Sequence, residues 1–68
     1  MKLTAEQVED IKKRLSKEED VQEALDEMVH QVFSEQACRI NNQGQDAQIE
    51  FLAEQFEDYR MLMDYIFC

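Results

Sequence analysis

Apolar residues recur along this chain at helical spacing, and almost nothing interrupts them. Val8, Ile11 and Leu15 fall on one face of a first helix. Thr4-Ala5-Glu6-Gln7 ahead of them has the form of a capping box, with Leu3 and Val8 at the positions of a hydrophobic staple. The pattern predicts a short helix over about residues 5–15. Ser16-Lys17-Glu18-Glu19 has the form of a second box. A helix continuing through it would bring Glu18 and Gln22 onto the apolar stripe, so a break is expected at Ser16. Lys12, Lys13 and Arg14 before that break and Glu18, Glu19 and Asp20 after it have the signs that helix ends favour.

From residue 21 the stripe is broad: Val21, Leu25, Met28, Val29, Val32, Phe33 and Ile40, with Ala24 and Ala37 at its edges. Asn41-Asn42-Gln43-Gly44 should end it, because Asn and Gly accept the left-handed backbone that closes helices. A last stripe follows: Ile49, Leu52, Phe56, Tyr59, Met63 and Ile66, with Phe67 alongside. The alternation Ala47, Ile49, Phe51 stops too soon to be a strand. The expected fold is all-α: an antiparallel helical hairpin over about 17–41 and 45–67, preceded by the short helix, in a single small domain spanning 1–68.

The last helix carries more apolar surface than one hairpin uses. Phe51, Leu62 and Tyr65, with Phe67, form a second ridge roughly 100° around from the main stripe. Eight of the ten residues in 59–68 are apolar. Either the first helix covers this ridge, making a three-helix bundle, or the ridge meets a second copy or another protein. Aromatic and Met enrichment is a mark of interface centres. It favours a homodimer with a four-helix-like core, in which Phe51, Leu62, Tyr65 and Phe67 are interface residues.

Composition narrows the class. The 68 residues include no Pro, one Gly, two Cys and one His, which excludes collagen-like, disulfide-dense and zinc-ribbon proteins. At 44% apolar the chain is too hydrophobic for disorder. No apolar run approaches the roughly 20 residues of a membrane span. The start, MKLTAEQVED, lacks an apolar signal core, so a cytoplasmic location with reduced thiols is expected.

Charge suggests the kind of partner. The formal net charge is −9, and it is divided unevenly: residues 1–17 carry net +2, residues 18–68 net −11. Glu23 and Glu27, with Asp20, line the polar face of the second helix, as Glu54 and Glu57, with Glu50 and Asp58, line that of the last. Such a surface repels phosphates and anionic lipid, so no direct nucleic-acid or membrane binding is expected. It attracts a basic protein surface. The simplest alternative is that these charges only keep an oily bundle soluble. Short, acidic, helical and without a catalytic signature, the chain resembles in style small phage inhibitors such as anti-CRISPR proteins, which imitate a phosphate array. That resemblance implies a non-enzymatic inhibitor or adaptor, acting as a nucleic-acid mimic on a nucleic-acid-binding protein. No motif places the chain in a family.

Candidate chemistry is sparse, and no cofactor is implied. Glu27-Met28-Val29-His30 matches the Glu-x-x-His pair of di-iron bundles. This gives an alternative reading as a metal-binding bundle, a third being a purely structural homo-oligomer subunit. Against metal, Glu27 points about 160° and His30 about 140° away from the inward stripe. Asp26, His30 and Ser34 at successive i, i+4 steps imitate a relay but lack an oxyanion hole. In a hairpin Cys38 and Cys68 lie roughly 30–35 Å apart, too far for an intrachain disulfide, leaving only an interchain one. No glycine-rich phosphate loop or calcium loop is present.

Overall fold

A computed structural model of the chain describes residues 2–18 and 20–67, and these form helices joined by short turns, with no strand. The elements are α1 (Ala5–Glu18), α2 (Val21–Phe33), a 3-10 turn (Ser34–Gln36), α3 (Ala37–Asn41), α4 (Gln45–Ala53) and α5 (Tyr59–Phe67).

The entry to α1 is the expected capping box. The Gln7 amide donates to Thr4 Oγ1 at 3.2 Å, and the Thr4 amide donates to Gln7 Oε1 at 3.0 Å. Leu3 and Val8, the staple positions, are both buried. The helix then runs past residue 15. Ser16 is not a cap: its hydroxyl donates to the Lys13 carbonyl at 2.8 Å, a bond back onto its own helix. Glu19 of the expected second box lies outside the described residues. Asp20 performs the capping instead, its Oδ1 accepting from the amides of Gln22 (2.9 Å) and Glu23 (3.2 Å) at the start of α2.

Each of the two long expected helices is divided in two. Continuous helices over 17–41 and 45–67 would be about 37 and 35 Å long, beyond every dimension of the molecule, which measures 27 × 26 × 22 Å. The first interruption is at Ser34, where φ is 48° and ψ −101°, the one positive φ outside glycine among the described residues. The polar run Ser34-Glu35-Gln36 carries the bend, and the chain resumes with Ala37 and Ile40 buried. The second interruption spans residues 54–58. The amides of Gln55 and Phe56 bond three residues back, to Leu52 and Ala53, tightening the end of α4. Asp58 Oδ1 then accepts from the Met61 amide at 2.9 Å, capping α5.

Helix α3 ends at Asn41, within the expected stop, but without a left-handed Asn: Asn42 has φ −76° and ψ −9°, and the positive φ falls at Gly44, just before α4. Gly44 has φ 104° and ψ 168°, a region open to glycine and almost nothing else. A Cβ there would meet nothing within 4 Å, so the conformation alone sets the cost of replacement. Gly44→Ala is expected to lose about 1–3 kcal/mol, read as a lower urea midpoint with an unchanged m-value.

The core is built from Val8, Ile11 and Leu15 of α1, Leu25 and Val29 of α2, Ile49 and Leu52 of α4, and Leu62 of α5. Restarting the helix at residue 59 turns Leu62 inward, where it is 0% exposed. Phe51 meets Phe33 edge-on at 6.0 Å, and Tyr65 lies against Phe56 at 5.4 Å. The Tyr65 hydroxyl donates to Gln31 Oε1 of α2 at 3.1 Å. The surplus ridge is therefore packed largely within one chain. Leu62, expected on the interface ridge, lies wholly in the core of the single chain, while Phe51, Tyr65 and Phe67 are half-buried.

Candidate protein-interaction surface

A polar cluster around one buried glutamine sets how α4 lies on α2 and α3. Gln48 is 0% exposed. Its Nε2 donates to Asp26 Oδ1 (2.7 Å) and Asn41 Oδ1 (2.8 Å), and its Oε1 accepts from Gln22 Nε2 (3.2 Å). Gln22 Nε2 also donates to Asp26 Oδ1, and Gln45 Nε2 reaches Gln22 Oε1. Among the described residues no buried side-chain N or O is left without a partner, as a low-dielectric site demands. The spacing of apolar residues gives no sign of this cluster. Its trace is Gln22 and Asp26 one turn apart on α2, facing Gln45 and Gln48 at the amide-rich start of α4.

On that frame the carboxylates divide by location. The α1 acids are partly neutralised: Lys12 Nζ reaches Glu9 at 3.2 Å and Asp46 of α4 at 2.6 Å, and Arg14 pairs with Asp10 at 3.1 Å. Asp46 and then Glu9 hold the Lys12 ammonium above its ordinary pKa. Burial raises the Tyr59 phenol, and Asp10 adds to that against Arg14. These are the ion pairs found among the described residues, and all belong to cations of α1. Glu23, Glu27, Glu54 and Glu57 are exposed and take part in none.

The two acidic rows border different grooves. Glu54, with Glu50, lines one of about 420 Å³ beside Lys2 and Leu3. Glu27 and Asp64 line another of about 410 Å³ between α2 and α5, with Ala24, Met28, Gln31, Tyr65 and Ile66. Asp64 and Met28 of this second groove are absent from the sequence-based site, because only the break at 54–58 brings Asp64 beside α2. Among the described apolar residues, Met61 is the one large side chain that is openly exposed, at 47%.

The other candidate chemistry is not assembled. Glu27 and His30 are both exposed, and among the described residues no three His, Cys, Asp or Glu side chains form a metal-holding group. Ser34 sits at the bend, outside the helix that carries Asp26 and His30, so the apparent relay has no common face. Cys38 is exposed and free, and Cys68 lies outside the described residues. Among those residues no helix is long and apolar enough to cross a membrane. No protein-family model, curated protein or solved structure matches the chain.

Proposed function

We propose that this chain is a small non-enzymatic interaction protein that occupies a basic surface of another protein, as an inhibitor or adaptor. A nucleic-acid-binding protein is the partner that best suits it, since such proteins are built to accept an array of negative charge. The observation that carries the reading is that the exposed carboxylates Glu23, Glu27, Glu54 and Glu57, all outside α1, pair with no cation among the described residues. Leaving so many like charges unpaired opposes compaction, and it speeds encounter with a cationic partner.

Displacement of labelled duplex DNA from purified basic nucleic-acid-binding proteins, followed by anisotropy, tests this. The intact chain should displace DNA from at least one of them, more weakly as salt rises. Glu23→Lys/Glu27→Lys and Glu54→Lys/Glu57→Lys should together weaken displacement about ten-fold or more while the circular dichroism spectrum stays helical. Equal displacement by the reversed protein would make the rows mere solvated surface.

A second reading, a self-associating structural subunit, draws on exposed Met61 and the half-buried Met63 and Phe67 of the same helix. Sedimentation separates it: the chain alone is 8.1 kDa, and an unchanged mass on concentration removes it.

A further inference from the structure

We propose that the α2/α5 groove receives a basic amphipathic helix of the partner protein, an inference that rests on the acidic-surface reading and gives it a place. The groove offers apolar anchors within a mixed lining: Met28 and Ile66 are half-buried and Ala24 is buried, beside Gln31 and Tyr65. Its rims are acidic, with Glu27 on the α2 side and Asp64 on the α5 side, and no Lys or Arg lines it. Glu23, one turn before Glu27, extends the α2 rim. Arg60, one turn before Asp64, does not line the groove.

The Tyr65 hydroxyl donates to Gln31 Oε1 at 3.1 Å, which ties α5 to α2 and fixes the two walls relative to each other. Methionine suits such a lining, since its flexible thioether adapts to different apolar anchors.

Charge and backbone chemistry select the occupant. Acidic rims on both sides call for Lys or Arg flanking an apolar stripe. The walls are helices whose backbone groups are bonded internally, and no strand edge exists among the described residues. An extended peptide would find no backbone partners there, whereas a helix presents its anchors from side chains alone. A second copy does not supply that helix. The basic helix of this chain, α1, already commits Val8, Ile11 and Leu15 to its own core.

The test uses the whole chain and two synthetic helical peptides with leucines at i, i+3, i+4 and i+7. One carries lysines on both flanks, the other glutamates. The lysine peptide should bind saturably, and Glu27→Lys/Asp64→Lys should weaken it about ten-fold or more while taking up the glutamate peptide instead. Glu54→Lys/Glu57→Lys, outside the groove, should weaken lysine-peptide binding only as far as the general loss of negative charge does, well short of the effect of Glu27→Lys/Asp64→Lys. Both variants alter exposed side chains, and circular dichroism checks that they fold. Loss on reversing Glu54 and Glu57 but not Glu27 and Asp64 overturns the groove and leaves the wider reading standing. Failure of the lysine peptide to bind also overturns the groove, and the DNA-displacement experiment then decides the wider reading separately. A doubled mass that the peptide does not dissociate overturns it in favour of a second copy.

Discussion

Leu62→Ala is expected to destabilise the chain by about 2–5 kcal/mol, the range for truncating a fully enclosed leucine. A core of this size seldom supplies more than about 3–5 kcal/mol in total, so the variant should be largely unfolded at 25 °C. The reason is geometric. Leu62 is 0% exposed because α5 restarts at residue 59 and turns it toward the core. Loss of the ellipticity at 222 nm, or a collapsed urea midpoint, is the readout. Met61→Ala, one residue away and 47% exposed, should shift the midpoint little, within about 0.5 kcal/mol. Were Leu62 a docking residue on a continuous helix, as periodicity alone suggests, its truncation would leave the monomer folded. Equal stability of the two variants would sink the packed arrangement of α5.

Gln48→Glu is the second large effect, and it depends on pH. The substitution preserves shape but exchanges the amide that donates to Asp26 Oδ1 at 2.7 Å and Asn41 Oδ1 at 2.8 Å for a carboxyl. At neutral pH this places a buried carboxylate against another, with a cost of about 3–5 kcal/mol, that of an uncompensated buried charge. Burial and the like charge both raise the folded-state pKa of the introduced group above its unfolded value. The variant's stability is therefore fullest below the unfolded value of about 4.3 and is lost as pH rises through the higher folded one. Urea midpoints of variant and parent should lie closest near pH 4 and separate toward pH 8. A separation that does not change with pH would mean that Gln48 does not face Asp26.

The contrast between these residues shows what could be read without coordinates. The Thr4 box, the Gly44 turn and the inward stripe of Ile49 and Leu52 follow from local chemistry, and all are present. The bends at Ser34 and at 54–58 do not. Neither contains Pro or Gly, and Glu and Gln, which dominate both, are good helix formers. What stops the helices is the gain from folding a long rod back on its own core, and that gain has no local signature. The Asp58 cap was legible in principle, as an acid three residues before Met61, but it sits within an acidic row. The exposure of Glu23, Glu27, Glu54 and Glu57 was readable from helical spacing. The α2/α5 groove was not, because it exists only after the second bend.

The brevity of the segments has a consequence of its own. The longest, α1, has 14 residues, and in water isolated helices below about 12–15 residues are marginal even with favourable sequences. A peptide excised from α2 or α5 would keep its carboxylates and lose their spacing. The arrangement of these carboxylates is thus a property of the uncut polypeptide, and a single proteolytic nick in residues 54–58 would release α5, and Leu62 with it, from the rest of the core.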